Sequence, residues 1–120
     1  MRREKVVERV RDELAGYFAA KWRSLAEHPL VGETRSLGLL GALELVPARP
    51  SRRFFANRGE VGTACRDLCV ANGVISRAVR DTMIVAPPPV ITPAEIDALV
   101  RRTGLALDQT ASLVARERWV

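Results

Sequence analysis

Apolar residues recur every three or four positions near the amino terminus: Val7, Val10, Leu14, Tyr17, Phe18, Trp22 and Leu25, with charges between them. That spacing predicts a long amphipathic helix over residues 4–27. His28-Pro29 ends it, because the residue before a proline is pushed out of the helical region. After a glycine-containing link, the nearly all-apolar run Leu37-Gly38-Leu39-Leu40-Gly41-Ala42-Leu43-Glu44-Leu45-Val46 predicts a strand covered on one or both faces. Its glycines point to another backbone or a ligand close by. Residues 47–58, with Pro47 and Pro50, read as a surface loop. The apolar face Val61, Ala64, Cys65, Leu68 and Cys69 then predicts a helix over 59–72, and Asn72-Gly73 supplies its left-handed stop.

The stretch from Gly73 to Asp97 is the most informative. Two short apolar runs, Val74-Ile75-Ser76-Arg77 and Thr82-Met83-Ile84-Val85, flank a four-residue turn and predict a hairpin in which Arg77 closes the first strand. Pro87-Pro88-Pro89 is a stiff extended connector rather than a peptide ligand. Thr92-Pro93-Ala94-Glu95 is a capping box with proline at the first helical position. It opens a last helix with the face Ile96, Leu99, Val100, Leu107 and Ala111, interrupted at Gly104. The order helix, strand, helix, strand, strand, helix predicts an α+β fold: a small, mainly antiparallel sheet covered by helices on one face. No internal repeat is evident.

Length and charge narrow the picture. The 120 residues are expected to form one domain, 1–120, with 48% apolar content and an aliphatic core, since aromatics are only 5%. No apolar run approaches the roughly 20 residues that span a bilayer, and Met1-Arg2-Arg3-Glu4-Lys5 opens a charged segment unlike a signal peptide. A cytoplasmic protein with no membrane partner is the expectation. The net charge of +5 raises nucleic-acid binding. However, the arginines are scattered and neighbour acids, as in Arg9-Val10-Arg11-Asp12-Glu13, which describes a solvated surface better than a nucleic-acid interface.

Few side chains carry candidate chemistry. Cys65 and Cys69 stand four apart on one helical face, but a metal site needs two more ligands and the single histidine, His28, falls in a predicted loop. Small core residues are the better reading of both thiols, and no metal is expected. Arg77 offers a planar donor fork that grips a carboxylate bidentately. The bland alternative is an ordinary surface or interface salt bridge. Arg35 and Glu44 read as a structural ion pair in preference to an acid–base pair or a second anion site.

Three segments, in order and at matching distances, resemble the carboxy-terminal part of the class III (omega) aminotransferases, which depend on pyridoxal phosphate. His28 to Leu39 looks like the segment that enters the family's small domain. Gly41-Ala42-Leu43-Glu44-Leu45 resembles its following strand, and Gly73 to Asp97 resembles its hairpin, connector and helix. The resemblance covers essentially the whole chain. It implies the carboxy-terminal domain of a fold-type I enzyme in which an amine or amino acid gives its amino group to a keto acid. Arg77 falls where relatives hold the substrate carboxylate. Arg80 sits in the hairpin turn, where many relatives have a small residue such as glycine, and is a second candidate for binding the substrate. Pro89 replaces a bulky apolar residue.

The resemblance also implies parts that the residues do not supply. Transamination needs a Schiff-base lysine, an acid on the pyridine nitrogen and a phosphate cradle. The only lysines are Lys5 and Lys21, both on the charged side of the first predicted helix, and no glycine-rich turn opens a helix. No catalytic or cofactor-binding residue is therefore assigned. The expectation is a small domain without its large one, inactive alone and holding no pyridoxal phosphate, whose intact relatives are homodimers. A free-standing α+β module that binds an anion through Arg77 and Arg80 is the alternative.

Overall fold

A computed structural model of the chain describes residues 13–47, 59–87 and 91–117. In chain order they form α1 (Ala15–Arg23) with a following 3-10 turn (Ser24–Glu27), β1 (Val31–Leu37), β2 (Leu40–Leu45) and α2 (Glu60–Ala71). Then come β3 (Arg77–Val79), β4 (Thr82–Val85) and α3 (Pro93–Glu117). The four strands make one antiparallel sheet in the order β1-β2-β4-β3. The α+β class and the helix-covered antiparallel sheet are as the pattern predicts.

The sheet has two unlike faces. Gly41, Leu43 and Leu45 of β2 alternate with Ala42 and Glu44, and Met83 and Val85 of β4 alternate with Thr82 and Ile84. The register sets Leu43 opposite Met83 and Gly41 opposite Val85, so one set faces one way across the sheet. Leu43, Leu45, Met83 and Val85 join a single core with Phe18 and Trp22 of α1, Val61, Cys65 and Cys69 of α2, and Ile96, Leu107 and Val114 of α3. None of the alternate positions belongs to that core.

Several boundaries differ from the pattern reading. A strand, β1, occupies the stretch read as a link, and the chain folds back at Gly38, whose φ of +59° suits glycine. β1 is an edge strand that buries Val31 but leaves Glu33, Arg35, Ser36 and Leu37 exposed, so it lacks the apolar run by which β2 was recognised. Gly41 meets side chains rather than another backbone. A Cβ there would stand 2.8 Å from Phe18 Cζ and from Trp22 Cε2, because the two stacked rings of α1 lie on β2. Trp22 Nε1 donates to the Ala42 carbonyl at 3.0 Å and fixes that seat.

α3 runs through Gly104 without interruption, since packing of its long apolar face outweighs the roughly 1 kcal/mol propensity deficit of one glycine. Its capping box forms as read: Thr92 N–H donates to Glu95 Oε1 at 3.0 Å, and Glu95 N–H donates to Thr92 Oγ1 at 3.2 Å. α2 stops at Asn72 and Gly73 takes φ +82°. The first helix tightens into its 3-10 turn before His28, which is extended ahead of Pro29. The earlier part of the helix predicted over 4–27, with Val7, Val10 and Lys5, lies outside the described residues, as do most of the segment read as a 47–58 loop and Pro88-Pro89.

Candidate functional site

The face without core contacts carries the charged candidates. Cross-strand register aligns Arg35, Ala42, Ile84 and Arg77 in one row across the four strands, with Glu33, Glu44, Thr82 and Val79 in the next. Leu37, Leu40 and Val79, among the large apolar residues that stay exposed, share this face. The described helices contribute their apolar sides to the opposite face. The row thus presents guanidinium groups at both ends of a shallow apolar surface.

Arg77 opens β3 rather than closing it. Ala78 and Val79, read as turn, extend the strand and pair with Met83 and Thr82, which leaves Arg80 and Asp81 as a two-residue turn. The reason is register: Ala78 packs on the core and holds the strand one step beyond its last charged residue. The Arg77 side chain is exposed and makes no hydrogen bond or ion pair with any described residue. It stands beside Ile84 at the edge of the sheet.

Arg80 adopts φ +55°, a left-handed conformation that costs a side-chain-bearing residue roughly 1 kcal/mol. Its backbone is pinned by close packing: a Cβ on Gly62 would fall 2.0 Å from the Arg80 carbonyl oxygen. The Arg35 and Arg77 backbones are three strand spacings apart, about 14 Å, at opposite edges of the sheet. The structural ion pair expected for Arg35 and Glu44 has a different partner. Arg35 Nε lies 3.9 Å from Glu33 Oε2, two residues along the same strand, because Glu44 stands opposite Glu33 in the register. Both side chains of that pair are largely exposed, so its contribution to stability is small.

Lys21 stands away from this row, on α1. Its Nζ lies 3.7 Å from Asp97 Oδ1 and 5.5 Å from the Tyr17 ring centre, while Tyr17 OH donates to Asp97 Oδ1 at 2.6 Å. The hydrogen bond to Asp97, then burial and the carboxylate's charge, push the Tyr17 hydroxyl's pKa up. The trio ties α1 to α3. Cys65 and Cys69 are buried in the core; a hydrogen bond to the neighbouring thiol and burial push Cys65 up and keep it protonated. His28 Nε2 contacts Asp108 Oδ1 at 2.9 Å and its Nδ1 accepts the Leu30 N–H at 3.1 Å. No cluster of three metal-ligating side chains occurs among the described residues.

One residue with a structural consequence escaped the pattern reading. Asp81, an acid in a turn, is only 6% exposed. Its Oδ1 accepts the N–H groups of Gly59 at 3.1 Å and Gly62 at 2.9 Å, and so caps α2 from a different element. The available signal was indirect: Gly59, at the cap position of α2, brings no side-chain acceptor of its own.

Relatives by sequence and by structure point the same way. No family model matches the chain. It is 49% identical over 114 residues to the putrescine–pyruvate aminotransferase of Pseudomonas aeruginosa, covering 95% of the chain and 25% of that protein. It is 34% identical over 109 residues to the mitochondrial gamma aminobutyrate transaminase 1 of Solanum lycopersicum, covering 91% and 21%. Among solved structures, a transaminase with L-ala superposes with a TM-score of 0.86 at 31% identity, over 94% of the chain and 26% of that structure. The omega transaminase of Pseudomonas jessenii in complex with PMP gives 0.84 at 31%, over 93% and 24%. The chain spans about a quarter of the length of these relatives. With its fold shared at this level and its sequence up to 49% identical, the chain belongs to the class III (omega) aminotransferases and corresponds to their carboxy-terminal domain.

Proposed function

We propose that this chain is the substrate-carboxylate side of a pyridoxal-phosphate-dependent aminotransferase that moves an amino group from an amine or amino acid to a keto acid. Arg77 is the residue that meets the carboxylate. The observation that carries this reading is its place on the sheet face that the described helices leave open, beside Ile84, with no partner among the described residues. A guanidinium there gains two charge-assisted hydrogen bonds when a carboxylate arrives. Arg80, in the adjoining turn, adds positive charge that attracts the anion without having to touch it.

The chain is proposed to act as one domain, 1–120, and to be inactive alone. Lys21, the one lysine among the described residues, is engaged by Asp97 and Tyr17 between two helices, which suits a structural role better than a Schiff base. The cofactor is therefore assigned to the remaining three-quarters of the enzyme. Covering the open sheet face is the role proposed for that portion, and a cytoplasmic homodimer is the proposed assembly. No described helix is long and apolar enough to cross a membrane. Nucleic acid is not among the proposed partners.

The test places this chain in the corresponding segment of the Pseudomonas aeruginosa enzyme. Arg77→Ala in that chimera is expected to raise KM for pyruvate by about 10- to 100-fold, the scale of a charged hydrogen bond of about 1.5–3 kcal/mol, while sparing KM for the amine. Equal losses for both substrates would remove Arg77 from the carboxylate role. The 120-residue chain with added pyridoxal phosphate is expected to give no amino transfer.

A further inference from the structure

The strand that carries Arg77 is too short to hold itself. β3 has three residues, lies at the sheet edge, and pairs only through Arg77–Ile84, Ala78–Met83 and Val79–Thr82. Both of its ends are fastened to α2 instead. Where the chain leaves α2, Gly73 N–H donates to the Val70 carbonyl at 3.0 Å and the buried Val74 donates to the Cys69 carbonyl at 2.7 Å. At the far end, the Asp81 carboxylate accepts both Gly59 and Gly62 N–H groups at the other terminus of the same helix. The lengths agree: 12 helical residues span about 18 Å, and the seven extended steps from Val74 to Asp81 span at most about 23 Å.

Asp81 is fixed from two further sides. Its carbonyl accepts the Leu45 N–H at 2.8 Å, which ties the turn to the end of β2. The Arg80 carbonyl sits so close to Gly62 that any side chain there would displace it. The carboxylate also lies at the positive end of the α2 dipole, where its charge is favoured. Its Oδ2 accepts no hydrogen bond from a described residue, so the carboxylate's hold on α2 runs through Oδ1.

We propose that Asp81 is a positioning residue for Arg77: by pinning the turn to the N-terminus of α2, it stretches β3 along the helix and sets where the Arg77 guanidinium stands. This rests on the reading that Arg77 meets the substrate carboxylate. The test uses the 120-residue chain and NMR. In Asp81→Ala, hydrogen exchange at Gly59 and Gly62 is expected to accelerate about tenfold or more. The Arg77 Nε–H and Ile84 amide signals should move, and those of the β1–β2 hairpin should stay. Asp81→Asn keeps an oxygen that accepts both N–H groups and is expected to restore the wild-type Arg77 signal.

Two results overturn the proposal: Asp81→Ala that disturbs only the first turn of α2, or Asp81→Asn that moves Arg77 as far as Asp81→Ala does. If Asp81→Ala does not fold, Asp81→Ser, with a shorter acceptor, is read in its place. Unfolding of both would make Asp81 a stability element only and also overturn the proposal. A separate titration of the unaltered chain with pyruvate, against neutral pyruvamide, judges the underlying reading. An Arg77 signal indifferent to pyruvate sinks the carboxylate role and leaves the Asp81 comparison to be decided on its own signals.

Discussion

The two faces of the sheet come from the same strands, yet they obey different rules. On the helix side, Leu43, Leu45, Met83 and Val85 are almost completely buried and interlock with residues of all three helices. On the other side, the intervening positions are Arg35, Glu44, Thr82, Ile84 and Arg77, tied together chiefly by the backbone ladder. A side chain on the first face is judged by shape, because close-packed interiors register a change of a single methylene. One on the second face is judged by what it offers to something outside the described chain. Stability and recognition are thereby separated by one residue step along each strand.

Substitutions can break that comparison if the faces respond alike. The largest effect is expected for Leu43→Ala, which empties a fully buried site and should cost about 3 kcal/mol in denaturant unfolding, against less than about 1 kcal/mol for Ile84→Ala on the opposite face. Similar losses at the two positions would mean that the open face is packed after all. Next comes Gly41→Ala, whose added methyl must displace the Phe18 and Trp22 rings. It should cost about 2 kcal/mol and alter the near-ultraviolet signal of Trp22. The smallest is Arg35→Ala. Its exposed pair with Glu33 should change stability by under about 0.5 kcal/mol, so a thermal melt that falls by several degrees would give that face a structural duty it is not assigned.

The two hairpins teach a related lesson about legibility. The β4 strand and the core face of β2 could be read directly, because buried strands advertise themselves by apolar runs. β1 could not, since an edge strand with one wet face and a glycine at its bulge looks like a link. Arg77 was legible as a residue but misplaced by register: Ala78 is small and apolar enough to serve either a turn or a core-facing strand position, and only packing chooses. Gly104 looked like an interruption because local propensity argued for one, whereas the capped start and the apolar face of α3 carry the helix through it. Asp81 was invisible for a different reason. Its partners, Gly59 and Gly62, lie about twenty residues earlier and bring no side-chain signal of their own.

The sequence by itself determined the fold class, the two helix signals at Asn72-Gly73 and Thr92–Glu95, the family and the candidacy of Arg77. These rest on local chemistry: side-chain period, capping residues and a guanidinium at a matching position. Only the tertiary structure decided that Gly41 is a seat for two aromatic rings and that Arg77 shares a face with Arg35 rather than with Lys21. It also decided that a turn aspartate caps a distant helix. Each of these depends on which surfaces meet across the core, and that is fixed by packing among elements far apart in the chain.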